Sequence, residues 1–79
     1  MANFIARFSN AHVITAKDPR LTYTHAWHAM GRHAITNEPW SLDGFTTSAK
    51  RAHARMASAT HFARRELVTF SEVVQVGNN

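Results

Sequence analysis

A chain of 79 residues with a formal net charge of +4 and no cysteine makes one domain with a thin core. It excludes a disulfide framework and a thiolate metal site. It holds no apolar run near the roughly 18–20 residues that span a bilayer, and its first residues lack the basic-then-apolar order of a signal peptide. The expected setting is a reducing cytoplasm, with no membrane partner.

In chain order, Asn3 to Phe8 reads as a first strand. Phe4, Ala6 and Phe8 alternate with Ile5 and Arg7 at the strand period of two. Ser9-Asn10-Ala11 is a break or a bulge, and the β-branched run His12–Ala16 is a second short strand or a continuation of the first. Lys17-Asp18-Pro19-Arg20 is a turn, because proline presets φ and aspartate can bond its own backbone.

Leu21 to Met30 admits two readings. As a strand, it puts Leu21, Tyr23, His25 and Trp27 on one face and Thr22, Thr24, Ala26 and His28 on the other. As a helix, it would run from an Asp18 cap to a stop at Gly31. The content of Thr, Tyr and Trp favours the strand, paired through the preceding turn with the segment before it. Gly31 to Asp43 then reads as mostly loop, with Trp40 and Leu42 folding back onto the core.

Phe45 to about Phe62 reads as a helix, because Phe45, Ala49, Ala52, Met56, Ala59 and Ala63 recur at spacings of three and four. Thr46 or Thr47 would cap it. Leu67 to Val76 is a final strand, with a bulge or edge position expected at Glu72. Gly77-Asn78-Asn79 is a frayed tail. The resulting class is α+β, in the order β-β-β-α-β: an antiparallel sheet of three to four strands with one helix packed on one face.

Three segments carry a resemblance: Arg7-Phe8-Ser9-Asn10, Tyr23-Thr24-His25-Ala26-Trp27 and Gly44-Phe45-Thr46-Thr47-Ser48, the last followed by an Ala-rich helix. In this order of elements the chain resembles small bacteriophage-encoded proteins of the host-takeover and anti-defence type, of which anti-CRISPR proteins are the best-known kind. The resemblance implies a non-enzymatic inhibitor of a host complex, working in the host cytoplasm. It carries no site residues across.

The strongest functional signal is charge. Gly44 to Arg65 contains no acidic residue, yet it carries Lys50, Arg51, Arg55, Arg64 and Arg65, five of the nine Lys and Arg in the protein. At 100° per residue, Lys50, Arg51, Arg55 and Arg65 fall opposite the apolar stripe. Arg64 and Arg65 suit the negative end of the helix dipole. A helix that only needs solvation usually mixes charge signs, since Glu–Lys pairs add support. These five residues are the expected partner-binding set. The expected partner is an acidic surface on a host protein or ribonucleoprotein complex, with nucleic acid as the alternative. A homodimer through an exposed strand edge is compatible with either.

Other chemistry is weaker. His25, His28 and His33 lie close in sequence, but on a strand His25 and His28 point to opposite faces and cannot share an ion. No cysteine completes a ligand set, and no metal or other cofactor is expected. His25 would pack beside Trp27, leaving His28 and His33 exposed. The acids sit mostly at expected turns or strand ends, and neither a phosphate loop nor a nucleophile elbow occurs. No catalytic residue is therefore assigned. Tyr23 and Trp27 could stack single-stranded bases, but they are also the natural core of a sheet packed on a helix.

Overall fold

The computed structural model describes residues 3–17, 22–62 and 66–78. In these, the strands β1 (Asn3–Arg7), β2 (Val13–Lys17), β3 (His25–His33) and β4 (Pro39–Thr46) precede the helix α1 (Ala49–Phe62). The strands β5 (Glu66–Gln75) and β6 (Gly77–Asn78) follow it. The α+β class holds, but the expected order β-β-β-α-β with a single sheet does not. Among the described residues four strands precede the helix and two follow it, because residues 39–46 find a partner in β3 and residues 77–78 find one in β1. The strands form two three-stranded sheets, β2-β1-β6 and β4-β3-β5, with every pairing antiparallel.

The first hairpin follows the sequence pattern. Phe4, Ala6 and Phe8 are buried, and β1 pairs with β2 from Asn3↔Lys17 to Arg7↔Val13. The break at Ser9–Ala11 is a turn. The Phe8 N–H donates to the His12 carbonyl at 2.9 Å, and the Ala11 N–H to the Phe8 carbonyl at 3.0 Å. Asn10 Oδ1 accepts from the His12 N–H at 3.1 Å, an Asx turn. Ala11 takes a φ of 72°, a left-handed conformation that costs an L-residue roughly 1–2 kcal/mol. The turn fixes where His12 emerges. The expected turn at residues 17–20 lies mostly outside the described residues.

The strand reading of residues 25–30 holds, but its pairing differs from expectation. β3 pairs with β4 and β5 rather than with β2. Ala26, Ala29 and Gly31 are small residues buried on its two faces, so β3 is suited to the centre of a sheet covered on both sides. The face of Ala26 and His28 meets the first sheet, where Ala26 joins Ala6 and Phe8 in the core, flanked by Ile14, Phe45, Phe70, Val74 and Val76. The opposite face, with Trp27, Ala29 and Gly31, lies toward α1, which packs on β3, β4 and β5.

Gly31–Asp43 is not a loop. β3 continues to His33, and a short connection leads into β4. Its backbone bonds run from the His33 N–H to the Glu38 carbonyl and from the Asn37 N–H to the His33 carbonyl, both at 2.8 Å. Pro39 opens β4, which is an edge strand, and a missing N–H is tolerated there. Trp40 lies opposite Gly31, and its ring covers the space a Cβ on Gly31 would need.

Phe45 belongs to β4, opposite Ala26, and not to the helix. The helix starts at Ala49. Its cap is Ser48, whose Oγ accepts from the Arg51 N–H at 3.1 Å, and not Thr46 or Thr47. Thr46 instead closes the strand end, its Oγ1 lying 3.0 Å from both the His25 and the Ser48 carbonyl oxygens. Ala52 is fully buried, and Ala49, Met56 and Ala59 are half-buried along the same stripe.

The bulge sits at Thr69, and Glu72 takes the other reading, an edge position, since β5 is an outer strand of its sheet. Met30 pairs with Phe70 and Gly31 with Val68, leaving Thr69 as the extra residue, its Oγ1 donating to the Met30 carbonyl at 3.3 Å. A side chain at position 31 would collide with the Leu67 carbonyl, so glycine permits the close backbone approach there. Gly77 and Asn78 are not frayed, and Asn79 lies outside the described residues. Val76 donates its N–H to the Thr24 carbonyl at 2.9 Å, and Gly77 and Asn78 then pair with Ile5 and Phe4. The chain thus leaves one sheet and enters the other within two residues, tying the two layers together.

Candidate functional site

Two regions carry chemistry: a cluster of histidines and carboxylates between the sheets, and the outer face of α1.

The cluster is built around His28 in the middle of the central strand. Register puts Asp43 of β4 on one side of it and Glu72 of β5 on the other, and directly opposed residues share a face. The three side chains therefore form a row across the sheet, on the face toward β1. His28 is only 1% exposed, which corrects the expectation that it lies at the surface. Phe8 and Phe70 enclose it, with ring centroids at 5.2 and 5.5 Å. Its Nδ1–H donates to the Leu42 carbonyl at 3.0 Å. A carbonyl only accepts, so that bond holds a proton on Nδ1 and leaves Nε2 free of the Leu42 contact.

His12 descends on this row from the β1–β2 turn. Its ring stacks on that of His28, with centroids 4.0 Å apart and planes 17° from parallel. Its Nε2 lies 2.9 Å from Asp43 Oδ2. Each of the two side chains is about one-third exposed. Across the row, Glu72 Oε1 accepts from the Ser9 backbone N–H at 2.8 Å. That bond, with help from the Ser9 hydroxyl, holds the Glu72 carboxyl below the usual carboxylate range against a smaller opposing effect of burial, and His28 adds in the lowering direction. The β1–β2 turn is thus tied to the second sheet at both ends, through Ser9 and through His12.

Among the described residues, His12, His28 and Asp43 form the group whose metal-capable donor atoms come together, one from each residue, all within 4.8 Å of one another. The sequence-local histidines do not assemble. His25 Nδ1 lies 2.9 Å from Thr24 Oγ1. His33 Nδ1 accepts the N–H groups of Ile35 and Thr36 at 3.2 and 3.3 Å, capping its own turn. Sequence reasoning missed His12 and Asp43 because nothing local links them; they are 31 residues apart. The available signal was that His28 shares a strand face with Ala26, so it belongs to the buried side if that face is covered.

The basic face is where the periodicity predicts it. Lys50, Arg51 and Arg55 are exposed on α1, and no acidic residue lies in its first turn. Arg64 and Arg65 lie outside the described residues. Arg51 and Arg55, one turn apart, line a cleft with Tyr23, Phe45, Thr46 and Thr47. Tyr23 does not pack on the helix side alone: its ring sits 5.1 Å from Phe4 and 5.3 Å from Phe45, so one edge is committed to the core while the cleft takes another. The cleft therefore offers two guanidinium groups, hydroxyl groups and an aromatic wall.

No described helix is long and apolar enough to cross a membrane. No protein-family model, curated protein or solved structure matches the chain, so the geometry of these two regions carries the functional reading.

Proposed function

We propose that the protein is a non-enzymatic binding module, of the host-complex-inhibiting kind that its sequence segments resemble. It covers an acidic surface of its partner with the face of Lys50, Arg51 and Arg55, extended by Arg64 and Arg65 in sequence. The observation that carries this reading is the cleft in which Arg51 and Arg55 stand side by side, next to Tyr23, Phe45 and Thr47. Arginine forks bind carboxylates and phosphates in a bidentate manner. An aromatic wall beside them supplies the desolvated contact on which interface energy concentrates. No acidic side chain on α1 competes for those arginines.

The same aromatic wall favours one alternative. A guanidinium pair beside exposed ring surface also suits single-stranded nucleic acid bound without regard to sequence.

The deciding experiment is capture of partners from bacterial lysate, with and without nuclease, by the wild type and by R51E/R55E. A protein partner that resists nuclease and is lost with R51E/R55E supports the inhibitor reading. Recovery that vanishes with nuclease moves the assignment to nucleic acid. Undiminished capture by R51E/R55E removes the helix face from both readings and points to the sheet edges.

A further inference from the structure

We propose that His12, His28 and Asp43 form a binding site for a single divalent cation of the zinc class, which clamps the β1–β2 turn onto the second sheet. This inference is independent of the partner-binding reading, because none of its three residues lines the Arg51–Arg55 cleft.

Four observations converge. The first is ligand chemistry: two imidazoles and a carboxylate are donors that zinc and its first-row neighbours accept, whereas magnesium and calcium prefer oxygen alone. The second is proximity. The three donor atoms lie within 4.8 Å of one another, and bonds of about 2.0–2.2 Å to one tetrahedral ion would place them roughly 3.4 Å apart. The difference is at most about 1.4 Å. Turning His12 and Asp43 can supply it, since both side chains are partly exposed.

The third is the support around His28. Its Nδ1–H is held by the Leu42 carbonyl, the arrangement that orients metal-bound histidines and directs Nε2 at the ion. Burial by Phe8 and Phe70 restrains the ring. The fourth is charge. In a chain of net charge +4 with five acidic residues, two of the five, Asp43 and Glu72, flank His28 directly in register. That puts local negative charge beside the imidazole that a cation would join.

Binding involves no redox step. His28 and His12 ligate as neutral rings through a lone pair. His12, whose Nε2–H donates to Asp43, shifts that proton to Nδ1 through solvent and ligates through Nε2. The ring stack opens as His12 turns toward the metal while His28 stays held by the Leu42 carbonyl. Three protein ligands leave the fourth position to water, on the side where His12 and Asp43 reach solvent.

The test uses the full chain with zinc and cobalt(II) salts as probes. Calorimetry should give one zinc per chain. Cobalt should give the visible absorption of a tetrahedral nitrogen–oxygen site. Nitrogen-15 spectra should move for the His12 and His28 rings while those of His25, His33 and His53 stay. His12→Gln and Asp43→Asn lie at the partly exposed rim, so they should remain folded and weaken zinc by at least about 100-fold, given that losing a mere supporting contact costs 10–100-fold. His53→Gln, on the exposed side of α1, should leave affinity unchanged. The proposal is overturned if zinc produces no stoichiometric heat, if folded H12Q binds as tightly as wild type, or if the moving rings are those of other histidines.

Discussion

The histidine cluster and the basic helix face are built in opposite ways. The helix face is local: Lys50, Arg51 and Arg55 belong to one segment, and a period of 3.6 puts them outward without reference to the rest of the chain. The cluster is distributed: His12, His28, Asp43 and Glu72 come from a turn and three strands. They meet only because β3 is central and the β1–β2 turn folds over it. A local surface tolerates change with little cost to the fold. A distributed cluster between two sheets is part of what holds them together.

The largest effect should follow from emptying the centre of the cluster. His28→Ala leaves a cavity between Phe8 and Phe70 and strips the Leu42 carbonyl of its donor. Large-to-small changes at fully buried rings cost several kcal/mol, and about 2–4 kcal/mol is expected here. Urea denaturation measures it. A loss below about 1 kcal/mol would mean that the two layers do not depend on this ring.

The helix start gives a smaller effect. Ser48 is the residue that accepts an otherwise unpartnered N–H of the first turn. Ser48→Ala should cost about 1 kcal/mol, read as a shift in the urea midpoint at constant slope. An unchanged midpoint would mean that the cap is made some other way. The contrast with His28 is the point: the helix depends on one replaceable contact at its start, and the cluster on a filled interior.

What could be read from the sequence follows the same division. The class, the first strand, the strand nature of residues 25–30, the helix body and its charged face all rest on periodicity within one segment. What could not be read depended on distant partners. Pro39 and the mixed residues of the 31–43 segment look like a loop until β3 supplies a ladder for them to join. Phe45 fits the helical stripe equally well in isolation, and only its pairing with Ala26 assigns it to β4. Gly77 and Asn78 resemble a tail until β1 offers an edge. His28 looked exposed because the covering layer, with Phe8 and His12, lies in a different hairpin.

Acid pH sharpens the comparison without creating a cavity. Glu72 is held below the usual carboxylate range by the Ser9 N–H and hydroxyl. A carboxyl whose folded value is depressed contributes stability above its unfolded pKa and loses it as pH falls through the folded value. Glu72→Gln keeps an oxygen for the Ser9 N–H but removes the charge. The variant should therefore melt below wild type at neutral pH, and the gap should close as the solution becomes acidic enough to protonate Glu72. Parallel melting curves across the acid range would show that the charge does not help to anchor the turn.

The smallest effect on stability should come with complete loss of binding. In R51E/R55E both substitutions lie on solvated helix surface, where changes usually stay within about 0.5 kcal/mol each. Glutamate is a good helix former, and a negative charge at position 51, in the first turn, suits the positive end of the dipole, so the melting temperature should hardly move. The cleft, however, changes from two guanidinium groups to two carboxylates beside Tyr23 and Thr47, and any anionic partner is then repelled. Single Arg→Ala variants locate the partner type. If one arginine dominates, the contact is a protein hot spot. If each weakens binding alike, with a steep dependence on salt, the contact is to phosphates that release condensed counterions. If the double variant instead loses several kcal/mol of stability, these arginines are part of the packing, and the division between an outer face that binds and an interior that holds the fold together fails.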